Sequence, residues 1–325
     1  MNVLVTGAST GIGEGCARWL DARGHRVFAG VRREVDGERL RSGASERLTP
    51  VLLDVTDAAA IESTRTRIEA LLGADGLNGL VNNAGIAVAG PLEYLEIDAL
   101  RRQLDVNVVG QVAVMQAFLP LIRRVRGRIV FIGSISGRYS LPFMAPYCAS
   151  KFALEAIADA SRLELSAWGI HVALLEPGSI ATPIWDKPAD AGVSTPPARA
   201  EAVARDYGAA LAAFRRVVEA TARRGVPTDV VSAVIERALT ERRPKARYAV
   251  GTDAKVQVAL APFLGDRMRD FVVRRLIKLP AGPSRWQDAD KRIAWQMADG
   301  RWQMADGRWQ MANGKWQRAE GRGQM

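Results

Sequence analysis

A tyrosine and a lysine stand four positions apart in the segment APYCASKF, at 145–152, where the pattern is helical. Residues at i and i+4 share one face of a helix, so the Tyr147 phenol and the Lys151 ammonium are expected to lie close together. A nearby positive charge favours the phenolate, which lowers the pKa of a tyrosine from its usual value of about 10. The pair therefore predicts general acid–base chemistry. The alternative is a surface tyrosine packed over a lysine stem.

Two other polar residues could complete such a site. Ser134 follows the apolar run RIVFIG, and its hydroxyl could hold a carbonyl or alcohol oxygen beside the phenol. Asn107 interrupts the apolar helical pattern LDVNVVG, and a buried amide needs hydrogen-bond partners. The alternatives are a serine in an ordinary strand-to-loop turn and a core asparagine satisfied by the backbone.

A glycine-rich turn, TGASTGIG, follows the first apolar run of the chain. Between a strand and a helix, such a turn lets the backbone approach a pyrophosphate, and the helix N-terminus offers free N–H groups. Its spacing, with Gly7, Gly11 and Gly13, differs from G-x-G-x-x-G, and glycines also serve tight turns structurally. The context, with a strand before and a helix after, favours nucleotide binding.

Short apolar runs alternate with helical patterns over the first 180 or so residues. The runs predict strands, and the segments between them predict helices near 11–23, 57–72, 97–123 and 147–168. This order predicts an α/β, doubly wound Rossmann fold with a mostly parallel sheet and helices on both faces. Ligands bind such sheets at the carboxyl edge, where Ser134 is expected. The predicted strands are 2–6, 26–31, 50–55, 79–83, 128–133 and 171–177.

Composition is typical of a soluble globular protein, with 325 residues, 48% hydrophobic and 25% charged. The net charge of +10 permits anionic ligands but is also consistent with a solvated, arginine-rich surface. Two distant cysteines, Cys16 and Cys148, imply no disulfide framework and fit a reducing compartment. His25 and His171 each open an apolar run, so both are expected at strand starts and no metal site is predicted. Without a signal peptide pattern or a run of about 20 apolar residues, the expected location is cytoplasmic.

The later part of the chain carries fewer motifs. A loop rich in proline and alanine at 186–200 predicts a substrate lid, and further helices are expected at 200–224 and 227–241. The basic, amphipathic segment 263–279 is expected to pack on its own domain rather than to bind an anionic membrane. From Trp295 the motif WQMADGR repeats with a period of seven, and its recurrent glycines predict a tail with little regular structure. Acidic residues within the repeats argue against nucleic-acid binding.

Taken together, these motifs resemble one known family. TGASTGIG, Asn82-Asn83-Ala84-Gly85, Asn107, Ser134, Tyr147-x-x-x-Lys151 and Pro177-Gly178 occur in the order and spacing of the short-chain dehydrogenases/reductases. The resemblance covers a single Rossmann-fold domain at 1–280, with a lid at about 185–225, and leaves 281–325 outside. RYAVGTDAK, at 247–255, is similar to the steroid and retinol dehydrogenase branch.

The resemblance implies a role for each matching residue. Asn107, Ser134, Tyr147 and Lys151 would be catalytic, with Asn107 anchoring a water that continues the proton relay. Asp54 would meet the adenine amino group, and Ile180 and Thr182 the nicotinamide carboxamide. The implied cofactor-binding set is Gly7, Ser9, Thr10, Gly11, Ile12, Gly13, Asp54, Val55, Asn83, Ala84, Gly85, Tyr147, Lys151, Pro177, Gly178, Ile180 and Thr182.

The choice between the two nicotinamide cofactors depends on the end of the second predicted strand. A carboxylate there would accept from a ribose 2′-hydroxyl, whereas this chain has Arg32 and Arg33. Guanidinium groups suit a phosphate, so the sequence predicts NADP(H) with Arg32 as the principal contact. The alternative is a pair of solvated arginines.

These features predict an NADP(H)-dependent oxidoreductase that interconverts a hydrophobic alcohol and its ketone or aldehyde. Leu141, Phe143 and Met144, before Tyr147, suggest an apolar substrate pocket. The alternative is a non-catalytic NADP(H)-binding regulator that recruits a partner through its tail. The resemblance also implies a homo-oligomer, a dimer or tetramer.

Overall fold

A computed structural model describes residues 1–181, 199–223, 225–260, 263–277 and 279, and the backbone of four short tail segments. The predicted nicotinamide contact Thr182 and most of the predicted lid lie outside these residues. The chain falls into two units, one of Met1–Ser194 with Ala220–Gly265 and the other of Thr195–Glu219 with Asp266–Met325. The first unit contains the sheet and every motif of the predicted site.

Seven parallel strands form the sheet of the first unit, in the order β3-β2-β1-β4-β5-β6-β7. The direction of winding reverses between β1 and β4, and this switch point is where doubly wound sheets bind ligands. Each of the six runs predicted as a strand is one, although β3 begins and ends earlier than expected. The strands are β1 (Asn2–Val5), β2 (Arg26–Val31), β3 (Leu48–Leu52), β4 (Gly79–Asn82), β5 (Arg128–Ile132), β6 (His171–Pro177) and β7 (Arg247–Val250).

The helices follow the predicted pattern, with additions at 34–41 and 252–260. The helix at 34–41 was not expected, because its sequence EVDGERLR has no apolar stripe and buries only Gly37 and Leu40. A π turn at Asp105–Val109 joins the fourth and fifth helices. The helices are α1 (Gly11–Ala22), α2 (Glu34–Arg41), α3 (Ala58–Leu72), α4 (Ile97–Leu104), α5 (Gly110–Arg124), α6 (Ala145–Glu164), α7 (Ala200–Arg223), α8 (Thr228–Thr240), α9 (Thr252–Leu260) and α10 (Asp266–Ile277).

The sheet is buried on both faces, as the near-continuous apolar strands predict. Successive residues of a strand point to opposite faces, so Leu4 packs in one core cluster while Val3 and Val5 pack in the other. Phe118 of α5 belongs to the first cluster and Leu20 of α1 to the second. Helices therefore pack on both faces of the sheet, and this packing fixes the positions of the residues at its carboxyl edge.

One helical stretch among the described residues, Ile97–Arg124, is long and apolar enough to cross a membrane. Gln103, Asn107 and Gln111 in its middle are fully buried and hydrogen-bonded within the fold. Phe118, on the same stretch, lies in the core. These contacts are those of a core helix of the first unit.

The second unit differs from expectation in two places. Met268, Phe271 and Leu276 of α10 are all more than half exposed, although the segment was expected to pack on its own domain. The tail contains strands β8 (Trp295–Ala298), β9 (Arg301–Met304), β10 (Trp309–Ala312) and β11 (Lys315–Arg318), paired antiparallel in sequence order. Asp-Gly and Asn-Gly link two of the pairs, and these dipeptides are strong hairpin indicators. Glycine weakens a helix but favours tight turns, so the repeats fit paired strands better than the predicted tail with little regular structure.

Candidate active site

The carboxyl ends of the central strands bring the predicted motifs to one edge of the sheet. Thr6 follows β1, Asn83 follows β4, Ser134 follows β5 by one residue, and Gly178 follows β6. These strands are neighbours in the sheet, in the order β1-β4-β5-β6. Residues from distant parts of the sequence therefore meet at one edge of the sheet.

The glycine-rich turn has no room for side chains at two of its positions. Gly7 has a φ of +64°, in the region that favours glycine. A Cβ added at Gly13 would lie 2.3 Å from the Gly7 carbonyl oxygen and 2.4 Å from the Asn83 amide nitrogen. These two glycines therefore let the turn pack tightly on itself and on the loop after β4, in the strand–turn–helix arrangement that pyrophosphate-binding turns use.

Thr6 and Asn83 hold the turn in place. The Thr6 hydroxyl oxygen accepts from the backbone N–H groups of Asn83 and Ala84, both at 2.9 Å. The Asn83 side-chain amide donates to the carbonyls of Thr6, at 2.8 Å, and Gly7, at 3.1 Å. Asn83 therefore fixes the turn in addition to lining the pocket, where the resemblance implied only the second role.

A pocket beside this turn contains most of the predicted adenosine-side residues. Its lining combines the glycine-rich turn and the start of α1 with apolar side chains and with the charged residues Asp54 and Arg32. This combination fits a dinucleotide: backbone donors for phosphate, an apolar slot for a base and a cation for a further phosphate. The lining residues are Gly7, Ser9, Thr10, Gly11, Ile12, Gly30, Arg32, Leu53, Asp54, Val55, Asn83, Ala84, Gly85, Ile86 and Val106.

The structure separates the two arginines that were predicted together. Arg32 lines the pocket. Arg33 instead makes two hydrogen bonds to the carboxylate of Asp36, at 2.9 and 3.0 Å, at the start of α2. A residue that sequence reasoning missed lies nearby: the Arg39 guanidinium donates to the carbonyl of Ser9, which lines the pocket, and to Glu14 at 2.7 Å.

Asp54 and Asp57 make different local contacts after β3. The Asp57 carboxylate accepts from the backbone N–H groups of Ala59 and Ala60 and caps α3. Asp54 accepts from the backbone N–H and hydroxyl of Thr56, at 2.9 and 2.7 Å. This turn orders the carboxylate of Asp54, a residue of the pocket lining.

Ser134, Tyr147 and Lys151 come together at the end of β5. The Ser134 hydroxyl is hydrogen-bonded to the Tyr147 phenol oxygen, and it accepts from the Ser136 backbone N–H at 3.1 Å. The Lys151 ammonium lies 5.6 Å from the centre of the Tyr147 ring and donates to the Ile132 carbonyl at 2.7 Å. Lys151 is only 5% exposed. A hydroxyl, a phenol and a buried ammonium thus share one small site.

The proton affinities at this site differ from the sequence expectation. Burial raises the pKa of Tyr147 to about 12, and the hydrogen bond from Ser134 only partly opposes this rise. Burial lowers the pKa of Lys151 to about 8. The expected lowering of the Tyr147 pKa by Lys151 is not found: burial raises this pKa, and the Lys151 ammonium donates to the Ile132 carbonyl.

Asn107 sits in the π turn between α4 and α5, a feature often found at functional sites. Its carbonyl oxygen accepts from Ile86 N–H at 2.8 Å, and its amide donates to the Ile86 carbonyl at 3.0 Å and the Ser150 hydroxyl at 3.1 Å. Ser150 in turn donates to the Tyr147 carbonyl at 2.7 Å. Asn107 therefore connects the loop after β4 to the helix that carries Tyr147.

Two glutamines that were not predicted extend this arrangement. Gln103 accepts from Val88 N–H at 2.6 Å and donates to the Ile86 carbonyl, while Gln111 donates to the Ala84 carbonyl at 2.9 Å. Positions 103, 107 and 111 follow at intervals of four, so the three amides share one helix face. Their hydrogen bonds fix the loop at 84–88. The signal in the sequence was three amide side chains at intervals of four within an apolar helix.

The segment after β6 is held from two sides. Ser179 N–H donates to the Asp253 carboxylate at 2.9 Å, and Ile180 pairs with Val226 in an isolated bridge. Asp253 belongs to the VGTDAK segment that carried the resemblance to one branch of the family, but its contact 74 positions away was not predictable. Pro177, Gly178 and Ile180 are thereby fixed beside the β5 and β6 ends.

The residues predicted for the substrate side lie just before α6. Met144 is buried, and Leu141 and Phe143 are half-buried. Phe143 has a φ of +66°, which is uncommon for a bulky residue, and its carbonyl accepts from Gly90 N–H at 2.7 Å. This bond ties the segment to the loop at 84–90.

The family model for short chain dehydrogenases matches residues 1–191 of the chain. The chain belongs to the short-chain dehydrogenase family. It is therefore an oxidoreductase of the dehydrogenase/reductase type, with the Rossmann fold of that family.

Relatives of this short-chain dehydrogenase match most of its length. NADPH-dependent 3-dehydrocapnine reductase from Ornithobacterium rhinotracheale is 33% identical over 85% of the chain and 96% of the relative. Retinol dehydrogenase 5 from Mus musculus and 17-beta-hydroxysteroid dehydrogenase type 6 from Homo sapiens are each 35% identical over 86% of the chain and 89% of the relative. These relatives support the retinol and steroid dehydrogenase-like branch.

Solved structures agree with the fold. A short chain dehydrogenase from Burkholderia cenocepacia, in complex with NADP, superimposes with a TM-score of 0.63 at 25% identity. The match covers 86% of this short-chain dehydrogenase and 97% of the solved chain.

Proposed function

We propose that the protein is an NADP(H)-dependent oxidoreductase that interconverts a hydrophobic alcohol and its ketone or aldehyde, with Tyr147 as the general acid or base. The observation that carries the proposal is the buried Ser134–Tyr147 hydrogen bond beside Lys151, at the edge of the sheet that also holds the dinucleotide-type pocket.

In the reduction direction, the protonation states of Tyr147 and Lys151 assign the role of each group. A nicotinamide bound at this edge of the sheet would provide the hydride for the carbonyl carbon. Tyr147, with a pKa of about 12, holds its proton at neutral pH and donates it to the carbonyl oxygen. The Ser134 hydroxyl orients that oxygen beside the phenol. In the oxidation direction, the same phenol oxygen takes the proton back.

Lys151 and Asn107 support this transfer. When Tyr147 gives up its proton, the phenolate that forms is stabilised by the ammonium of Lys151, which is largely protonated at neutral pH because its pKa is about 8. The link from Asn107 through Ser150 to the Tyr147 carbonyl fixes the first turn of α6. A water held near Asn107, as the resemblance implies, would return protons to the site.

The residues of the dinucleotide pocket support NADP(H). Arg32 lies in the pocket, and a carboxylate that could select NAD is absent from the pocket's described lining at the end of β2. The relative from Ornithobacterium is named as NADPH-dependent, and the Burkholderia structure is a complex with NADP.

Replacing Arg32 with alanine is expected to lower kcat/KM with NADPH by roughly 10- to 100-fold and to leave kcat/KM with NADH nearly unchanged. A charge-assisted bond contributes about 1.5–3 kcal/mol, and only NADPH offers the 2′-phosphate that would use it. Steady-state kinetics with both cofactors measure the two ratios.

The neighbouring arginine is the matched control for this prediction. Arg33→Ala removes the same charge one position away, but its guanidinium pairs with Asp36 rather than facing the pocket. We expect the cofactor ratio of Arg33→Ala to stay near that of the wild type. An Arg32→Ala protein that keeps the wild-type preference for NADPH would contradict the assignment.

The proposed substrate class is supported by Leu141, Phe143 and Met144 beside Tyr147 and by the relatives named for retinol and steroid substrates. The test follows NADPH oxidation with retinoid, steroid and long-chain alkyl ketones and aldehydes, with small polar carbonyls as the comparison set. Turnover restricted to the apolar set supports the proposal. NADPH binding without turnover of any carbonyl would favour the regulator instead.

The proposal extends to a homo-oligomer in a reducing, cytoplasmic compartment. Cys16 and Cys148 are both buried as free thiols, which suits such a compartment. Sedimentation of the purified protein measures the oligomeric state.

A further inference from the structure

A cluster of charged residues that includes two buried glutamates lies next to the proposed site and has no part in the steps above. Glu155 follows Tyr147 and Lys151 at intervals of four on α6, so it continues the same helix face. Glu176 is the penultimate residue of β6, before Pro177-Gly178, and is 1% exposed. Charged side chains are rarely buried without a structural or functional reason.

Two arginines join these carboxylates across separate elements. Arg138, in the segment that follows Ser134, donates to Glu176 at 2.5 Å and lies 3.4 Å from Glu155. Arg247, at the start of β7, donates to Glu155 at 2.9 Å and to Asp159 at 2.5 Å. Arg138 thus connects the Ser134 segment both to the catalytic helix and to the end of β6.

We propose that Glu155 is a positioning residue for the reaction: through Arg138 it fixes the segment that carries Ser134 against the helix that carries Tyr147 and Lys151. The inference rests on the proposed function for its kinetic consequences. Ser134 must stay within hydrogen-bond reach of the Tyr147 phenol, and a small displacement of a reacting group lowers rates strongly. Arg138, four positions after Ser134, is the only cation of that segment, 133–144, and both of its described ion pairs are with this cluster.

The geometry makes this position sensitive to protonation of Glu155. Both guanidinium groups approach Oε2, while Oε1 is buried and has no hydrogen-bond partner in the described part of the chain. Burial and the nearby charge of Glu176 raise the pKa of Glu155 to about 7, against the pull of Arg247 and Arg138. Asp159 lies one turn further along α6, and Lys151 one turn earlier donates to the Ile132 carbonyl. Protonation of Glu155 weakens its attraction for Arg138, so the Ser134 segment loosens as the pH falls through about 7.

Glu155→Gln tests the proposal because it keeps the size and the acceptor oxygen but removes the charge and its titration. We expect kcat for carbonyl reduction to fall about 10-fold at pH 8, with little change in KM for NADPH. This factor corresponds to the difference in free energy between a charge-assisted and a neutral contact. The ratio of wild-type to variant kcat is expected to approach one at pH 5.5 and to rise through about pH 7. Taking the ratio cancels the titration of Lys151, which both proteins share.

Asp159→Asn is the matched control. It removes a carboxylate from the same helix and the same arginine, Arg247, but Asp159 makes no described contact with Arg138. We expect its kcat and its pH profile to follow the wild type. An equal loss in both variants, or a pH-independent ratio for Glu155→Gln, would show that the cluster has a structural role only.

A measurement without substrate separates this inference from the proposed function. Amide hydrogen exchange of the peptide 133–144 is expected to be about 10-fold faster in Glu155→Gln than in the wild type and unchanged in Asp159→Asn. Unchanged exchange in Glu155→Gln overturns the positioning role whether or not a carbonyl substrate is turned over. If exchange is faster in Glu155→Gln and the wild type turns over no carbonyl, the positioning role stands and only the proposed reaction is contradicted.

Discussion

Tyr147→Phe is expected to lower kcat for carbonyl reduction by roughly 10²- to 10⁴-fold, the range that general acid catalysis contributes. Phenylalanine keeps the half-buried ring in place and removes only the hydroxyl that donates the proton. Ser134 loses one hydrogen-bond partner but still accepts from Ser136 N–H. We therefore expect the fold and NADPH binding to persist, and stopped-flow or steady-state NADPH oxidation measures the loss.

The pKa of Tyr147 adds a second expectation. Because burial holds that pKa at about 12, the phenol stays protonated across the neutral and mildly alkaline range. Ionisation of Tyr147 should therefore cause no fall in the reduction rate below about pH 10. A tyrosine with a strongly lowered pKa, as the Tyr-Lys spacing alone suggested, would lose its proton and its acid function within that range.

Tyr248→Phe is the control for the hydroxyl deletion. The Tyr248 phenol accepts from Lys245 N–H and donates to Glu241, both at 2.9 Å, at the start of β7 and away from the site. We expect its removal to lower the free energy of unfolding by about 1 kcal/mol and to leave kcat near the wild-type value. Equal turnover by wild type and Tyr147→Phe would exclude Tyr147 as the proton donor.

The strands and the residues at their ends were the most predictable part of this protein. Runs such as RIVFIG and HVALLEP are short, apolar and bounded by glycine or proline, so they mark buried parallel strands without knowledge of the fold. Once the sheet order is that of a doubly wound fold, Ser134 and the turn at Gly7 must meet at its carboxyl edge. The positions of these site residues therefore follow from sequence pattern alone.

The pKa shifts and the long-range contacts of the site could not be predicted from the sequence, because they depend on burial and on partners distant in the chain. Tyr147 and Lys151 are visibly on one helix face, but how completely both are desolvated depends on packing from several elements. The contacts of Arg138 with Glu176 and of Ser179 with Asp253 join residues far apart in the chain. Their spacing follows no periodicity that a sequence pattern reveals.

One error was avoidable from local sequence. Asp36 stands three positions after Arg33 at the start of a helix, and residues at that spacing are neighbours on its surface. The pairing that turns Arg33 away from the pocket was therefore readable from the sequence. The helix α2 has no apolar stripe, so the spacing of Arg33 and Asp36 was the sequence signal available for this contact.

Lys151→Met is expected to abolish most activity and to change how stability depends on pH. Methionine has a similar length and is apolar, so it fits a site that is 5% exposed without burying a charge. The phenolate that forms at Tyr147 during proton transfer then has no ammonium beside it, and we expect kcat to fall by roughly 10²-fold or more.

The sign of the stability effect follows from the pKa of Lys151. Its folded value of about 8 lies below the usual value of about 10.4, so the folded protein loses this proton at a lower pH than the unfolded chain. Between pH 8 and 10.4 the unfolded state binds more protons, and the Lys151 contribution to stability rises with pH. Below pH 8 the burial cost is fully present, and it amounts to about 3 kcal/mol for a shift of this size.

Denaturant unfolding of wild type and Lys151→Met from pH 7 to 10.5 measures this difference. We expect the difference in the free energy of unfolding, Lys151→Met minus wild type, to be largest at pH 7 and to fall as the pH rises. The lost bond to the Ile132 carbonyl lowers the stability of the variant by a similar amount at every pH in this range. Lys255→Met, on the exposed surface of α9, removes an equal charge and should track the wild type throughout. A difference between wild type and Lys151→Met that stays constant over this range would mean that Lys151 is not desolvated as its burial indicates. A sloping difference combined with lost turnover would show that the protein keeps a destabilising charge because Tyr147 needs it.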